Sequence, residues 1–373
     1  MTTSEGDGLR AAILAQPDDD ILRLIYADWL QENDQSDRAA FVRAQVAFAQ
    51  AEPFSPQARD QARIAGQLFS AHPEWKLSVQ RLGVIRGSFV RGFVEHVNVD
   101  AAQFPRHAAG LFATEPVRSV QVTRFASAIG PTVPLAPVFQ TPELDRVARL
   151  DLRQLQLDEH EFELLASAPE LVNLTDLCLR ENPVQPDWLE ELLRGLALPA
   201  LAGLDLFGLS HLGPRLAAVL PRINRRLLRL NLGQLLFTSE QIRVLLDSRC
   251  LREVEELRLA WLPGAGYGGA LTHLSLGWVI PWDRLRLLDL TGQRLGDEGV
   301  KEIVKALIGQ RELAPLRWLG LSNNDIGADG INELVRSDPE KVKLYHLDVS
   351  LNDLTLSQRG ALQRRFPEAT IDV

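Results

Sequence analysis

The residues that could do chemistry in this chain are few and far apart. Asp18, Asp19 and Asp20 set three carboxylates in a row, a group that could hold a cation. We read the run instead as the acidic start of a helix, where the partial positive charge of the N-terminus favours carboxylates. Gly264-Ala-Gly266-Tyr-Gly268-Gly269 has the glycines of a phosphate loop. It lacks the Lys-Ser/Thr ending and the following helix that a phosphate cradle needs, and reads as a connector. Cys178 and Cys250 are too few for a disulfide framework or a four-ligand zinc site. The histidines, at 72, 96, 107, 160, 211, 273 and 346, form no His-x-x-x-His pair, and no Gly-x-Ser-x-Gly elbow occurs. The expectation is a protein that is not an enzyme, with no metal and no cofactor.

Composition narrows the class further. Apolar residues are 46% and charged residues 24% of the 373, the balance of a soluble globular chain rather than a disordered one. No stretch holds the roughly 18 uninterrupted apolar residues of a membrane span. The polar, acidic first ten residues do not resemble a secretory signal, so a cytoplasmic location is expected. The net charge of −9 disfavours nucleic acid and anionic membrane as partners. More than half of it lies in residues 1–50, where nine acids face four arginines. Only five of the 40 basic residues are Lys, which reads as a codon bias towards Arg and not as phosphate binding.

An internal repeat decides the architecture. The spacing Leu-x-x-Leu-x-Leu runs through Val147-x-x-Leu150-x-Leu152, Leu174-x-x-Leu177-x-Leu179, Leu201-x-x-Leu204-x-Leu206 and Leu227-x-x-Leu230-x-Leu232. It continues through Val254-x-x-Leu257-x-Leu259, Leu285-x-x-Leu288-x-Leu290, Leu316-x-x-Leu319-x-Leu321 and Leu344-x-x-Leu347-x-Val349. Weaker copies stand at Val94–Val99, Val117–Val122 and Leu271–Leu276. The alternation makes each copy a short strand with leucines inward. The second half of most units reads as a helix: Asp158–Ser167, Pro186–Arg194, Ser239–Ser248, Asp297–Leu307 and Ala328–Arg336, with Thr238 and Asp297 as N-caps and Gly195 and Gly309 as stops. A strand plus helix of this length cannot bury its own apolar face, but stacked neighbours can. The fold class expected is α/β: a curved solenoid with parallel strands concave and helices convex. Pro131, Pro134, Pro137 and Pro142 predict an extended, irregular loop, and Thr370–Val373 a closing strand.

The pattern resembles leucine-rich repeats, and its length looks like the ribonuclease-inhibitor-like subclass. That family places Asn three residues after the last strand leucine, here Asn182, Asn324 and Asn352, with Gln293 as a variant. Leu155, Leu209, Leu235 and Leu262 stand there in other copies, a departure that puts their loop geometry in question. Upstream, Arg23-Leu-Ile-Tyr-Ala-Asp28-Trp29-Leu30-Gln-Glu followed by Arg38-Ala-Ala-Phe41-Val-Arg43-Ala-Gln45 resembles a bacterial repeat-companion domain. The domain plan is therefore residues 1–50 as a helical companion domain, 51–91 as a linker helix and docking segment, and 92–373 as solenoid with a C-terminal cap. In the companion motif Asp28 is expected to bond locally and Trp29 to lie in the core.

The outward side of the strands is the remaining place for function. Its basic set is Arg149, Arg153, Arg180, Arg229 and Arg258; its acidic set is Asp151, Asp176, Glu181, Asp205, Glu256, Asp289 and Asp348. The two nearly cancel, so strong steering of a charged partner is not implied. Phe207, Trp261, Trp278 and Trp318 fall on outward or edge positions, with His273 and His346 nearby. Exposed aromatics ringed by polar groups are interface anchors; Trp261 and Trp278 read equally as packing for the imperfect middle repeats. The resemblance implies that residues just after the strand leucines grip protein partners. The expected function is a non-catalytic protein-binding scaffold, monomeric by default, whose concave site comprises Phe207, Trp261, Trp278, Trp318, Asp205, Asp289, Asp348 and His346. Regulation of a small GTPase by the same surface is the alternative, carried by likeness of fold alone.

Overall fold

The computed structural model describes residues 5–76, 83–125, 133–194, 198–222, 226–248, 251–261 and 280–373. The glycine-rich segment, Cys250, Trp278, His273, Gly195, Leu262 and the Leu271–Leu276 copy lie outside these residues. The chain divides into two compact units, Met1–Leu155 with His160–Thr175 and Ala197–Ala200, and Gln156–Glu159 with Asp176–Leu196 and Leu201–Val373.

The first unit begins with four helices, α1 (Glu5–Ala15), α2 (Asp20–Glu32), α3 (Ser36–Gln50) and α4 (Pro56–Ala71). Asp19 caps α2 by accepting from the Ile21 N–H, so the aspartate run does open a helix. Ile13, Tyr26, Ala27, Leu30, Ala39, Val42 and Val46 form the helical core, together with Phe93 from the following hairpin. That hairpin is β1 (Val84–Val90) and β2 (Phe93–Asp100), antiparallel and joined through Arg91 and Gly92. Both turn residues have positive φ, and a Cβ on Gly92 would meet Val42 at 2.6 Å, so only glycine fits there. Gln45 of α3 clasps the turn, donating to the Phe89 carbonyl and accepting from the Gly92 N–H.

Beneath the hairpin lies a buried ionic group that no local pattern of residues announces. Arg23 is fully buried and pairs with Glu95 at 2.8 Å, while Arg91 holds the other carboxylate oxygen at 2.9 Å. Burial pushes the Glu95 carboxyl up, against the pull of both guanidinium groups. Arg23 of the companion motif is thus a core residue. Asp28 is exposed and pairs with Arg43 on the next helix at 2.7 Å, not locally. Trp29 is half-buried, stacked on Tyr26.

Next come α5 (Phe104–Thr114), β3 (Ser119–Thr123), a short α6 (Ala136–Phe139), β4 (Arg149–Asp151) and α7 (Glu159–Ser167). Strands β2, β3 and β4 run parallel in sequence order, so both weak upstream copies are strands. Of the expected extended loop, Pro131 lies outside the described residues, and the part from residue 135 on is compact instead. Residues 136–139 are helical, Pro142–Arg146 is a single tight turn, and Leu135, Val138, Phe139 and Leu144 are buried. Each of Pro137 and Pro142 falls in the first turn of its helix, where a missing N–H costs nothing.

In the second unit, strands and helices alternate: β5 (Asp176–Cys178), α8 (Pro186–Arg194), β6 (Gly203–Asp205), α9 (Gly213–Val219), β7 (Arg229–Asn231), α10 (Ser239–Leu246) and β8 (Glu256–Arg258). Then follow β9 (Leu287–Asp289), α11 (Gly296–Ile308), β10 (Trp318–Gly320), α12 (Ala328–Arg336), β11 (His346–Asp348), α13 (Leu356–Arg365) and β12 (Thr370–Asp372). Strands β5 to β12 pair in parallel, each with its sequence neighbour, in one register that stacks Leu177, Leu204, Leu230, Leu257, Leu288, Leu319 and Leu347. These leucines are at most 3% exposed. Each full burial contributes about 1.5–3 kcal/mol, which is why the spacing governs the fold.

Two devices recur where these strands end, the first in four repeats and the second in seven. A side chain at the third strand position accepts from the N–H two residues on: Asp205 from Phe207, Asn231 from Gly233, Asp289 from Thr291 and Asp348 from Ser350, at 3.0–3.1 Å. The residue two after the last strand leucine takes positive φ throughout: Glu181, Gly208, Gln234, Trp261, Gly292, Asn323 and Leu351. The Asn positions behave as the resemblance implies. Asn324 is fully buried, accepts from the N–H groups of Gln293 and Leu295, and donates to the carbonyls of Leu290 and Ser322. Asn352 does the same for Asn324 and Ile326. Thr238 caps α10 with a reciprocal bond from Gln241. Asp297 does not cap its own helix. Its carboxylate accepts from Gly327 and Gly330 at 2.7 and 2.9 Å, capping α12 of the next repeat.

Candidate functional site

The outward residues of the second unit's strands form two rows, set by the parity of each three-residue strand. Across β8 to β12 one row is Glu256, Leu287, Trp318, His346 and Thr370, and the other is Arg258, Asp289, Gly320, Asp348 and Asp372. Trp318 does stand on the side opposite Leu319, as its parity predicts, and is half-buried. Its indole stacks on the His346 ring at 5.1 Å with planes 3° apart. The same indole lies over Gly320, where a Cβ would meet it at 2.7 Å. His346 Nε2 is 3.3 Å from the Asp372 carboxylate. The structure therefore brings Trp318, His346, Asp289 and Asp348 onto adjoining strands.

Phe207 and Asp205 sit elsewhere on the same face, at the end of β6. The Arg180 guanidinium lies 4.3 Å over the Phe207 ring and 3.7 Å from Asp205. Burial pushes the Asp205 carboxyl up, opposed by the Phe207 N–H and by Arg180. Trp261 is 43% exposed, and its ring rests where a Gly292 Cβ would stand. Trp278 lies outside the described residues.

Charge on this face is arranged differently from its nearly neutral sum. Along β5 to β8 the acids and bases meet one another. Arg229 is bidentate to Asp176 at 2.7 and 3.0 Å, and Arg258 lies 3.4 Å from Glu256. Along β9 to β12 neither outward row holds an arginine or lysine, while it holds Asp289, Asp348 and Asp372. Asp289 and Asp348 each use Oδ1 for the turn; among the described residues, Oδ2 of each has no partner.

Sequence reasoning missed one concavity. In the first unit a cavity of about 330 Å³ is lined by Phe41, Phe48, Ala65, Phe69, Phe89 and Arg91 among others. Its aromatics come from α3, α4 and β1, and no single stretch shows a pattern for it. Among the described residues no helix is long and apolar enough to cross a membrane.

No protein-family model matches the chain, and no curated protein matches it. Among solved structures it is similar to a chain of the Rad7 and Elc1 complex of yeast, at 16% identity and a TM-score of 0.42, over 100% of this chain and 94% of that one. It is also similar to a leucine-rich-repeat protein of Leptospira interrogans, at 16% identity and a TM-score of 0.28, over 75% of this chain and 76% of that one.

Proposed function

We propose that this protein is a non-catalytic, cytoplasmic scaffold that binds a protein partner on the outward face of its strands. In finer terms we read it as a ribonuclease-inhibitor-like leucine-rich-repeat protein with an N-terminal repeat-companion domain. The observation that carries the reading is the Trp318–His346 stack, half-buried on β10 and β11 and bordered by Asp289 and Asp348. An exposed indole is the kind of side chain enriched among interface hot spots, where truncation costs about 2 kcal/mol or more. The neighbouring outward side chains are short, Gly320, Ser322 and Ser350, so the indole is accessible from above the sheet. Phe207 and Trp261 extend the surface, and Asp205 shapes the turn that presents Phe207.

The test is capture of partners from the protein's own cells with the parent, with Trp318→Ala and with Trp318→Ala plus Phe207→Ala. Partners retained by the parent and lost from the variants are expected. Identical partner sets from all three proteins would refute binding on this face.

A further inference from the structure

We infer that the surface between β9 and β10 receives an arginine side chain from the partner, seated between the Trp318 indole and the Asp289 carboxylate. The inference deepens the scaffold reading and rests on it.

The chain supplies its own template for this chemistry. On β5 and β6 a guanidinium, an aromatic ring and a carboxylate meet: Arg180 lies 4.3 Å over Phe207 and 3.7 Å from Asp205. A guanidinium is planar and weakly hydrated, so it stacks on a ring and still reaches a carboxylate with its edge. On β9 and β10 the ring and the carboxylate are present without the guanidinium. Trp318 is flanked in register by His346 on one side and Leu287 on the other. His346 covers one face of the indole, so the opposite face is turned towards β9. Asp289 stands on β9 beside it; its Oδ1 is 2.9 Å from the point a Gly320 Cβ would occupy, the point the indole also overlies. Gly320 thus leaves room for ring and carboxylate to approach one another. Oδ1 serves the turn to Thr291, which leaves Oδ2 for an incoming donor. Asp348 and Asp372 continue the same row, whose one base, Arg258 on β8 in register with Asp289, lies 3.4 Å from Glu256, so the field around the seat is net negative. Charge complementarity selects a cationic occupant, and the stacking ring selects arginine over lysine.

The probe is a fluorescein-labelled octapeptide of alternating Gly and Arg, with Gly-Lys and Gly-Glu counterparts, followed by anisotropy in 150 mM salt on the full chain. We expect the Arg peptide to bind more tightly than the Lys peptide, and the Glu peptide not to bind. Trp318→Leu and Asp289→Asn should each weaken the Arg peptide at least fivefold. Glu312→Gln, the same charge change at an exposed site before β10, should alter it less than twofold. Asp289→Asn keeps the turn, because Asn231 makes the same bond in its own repeat; circular dichroism of each variant checks that it is folded. Equal binding by all variants, equal binding of Arg and Lys peptides, or no binding would each overturn the inference. The peptide is also added to captured partner. If Trp318→Ala releases the partner but the Arg peptide does not compete, the arginine seat is wrong and the scaffold reading stands; if Trp318→Ala releases nothing, the scaffold reading itself has failed.

Discussion

The two halves of the strand face in the second unit are built from the same three-residue strand and differ in where their polar groups are spent. Along β5 to β8 the face is occupied with itself. Arg229 grips Asp176, Arg180 covers Phe207, and the loop position after the strands holds buried Asn182 after β5 and buried Leu209 and Leu235 after β6 and β7. Along β9 to β12 the loops are tied from within by Gln293, Asn324 and Asn352, and the face keeps an aromatic stack and a row of aspartates with no base in either outward row. This difference is what makes the later half the candidate site.

The comparison can be broken most sharply at the loops. Asn324→Leu would strand two N–H groups and two carbonyls that the amide now satisfies. At about 1–3 kcal/mol for a buried unsatisfied group, partly relieved by relaxation, we expect a loss of about 3 kcal/mol or more in urea unfolding. A loss below about 1 kcal/mol would show that the ladder is not what orders these repeats. On the face itself, Arg229→Gln should cost about 0.5–1 kcal/mol at low salt and less at 1 M salt, since the pair is partly exposed. Asp348→Asn, which keeps the turn, should stay within about 0.5 kcal/mol of the parent. Reversal of that order would contradict the self-paired and open assignments.

Smaller effects sharpen the picture. Leu351 is 75% exposed and held at φ +56°, a conformation costly for a branched side chain. Leu351→Asn should raise stability by about 0.5 kcal/mol, read as a small rise in Tm; a fall would mean that Leu351 contributes packing that its exposure does not show. The smallest effect concerns pH. Burial raises the Asp205 carboxyl above its unfolded value of about 3.9, so the folded state favours its protonated form. Its contribution is full below the unfolded pKa and is lost as pH rises through the folded pKa. Asp205→Asn should therefore gain stability relative to the parent between pH 4 and pH 7, and a parallel pair of pH profiles would count against that burial.

Leucine spacing carried most of the fold because burial is periodic and strong. The strands of the eight main copies and the helices 186–194 and 328–336 are readable from it. Three things are not. The Arg23–Glu95–Arg91 group joins residues some 70 positions apart, and a buried arginine looks like any other in a helix. Asp297 has the sequence context of a cap for α11 and caps α12 instead, because the stack brings the next helix start within reach. The charge on the strand face sums to nearly zero, but a sum cannot show that the bases gather on one half with partners of their own. Trp318 was legible from parity, whereas its partner His346 required the register of β10 against β11.

The most direct measurement is photo-cross-linking in the protein's own cells from benzoylphenylalanine placed at position 318, at position 229 and at the exposed Asn332 on α12. The account predicts partner adducts from 318 well above those from 229 and 332. Equal yields from all three positions, or adducts from 332 alone, would contradict it.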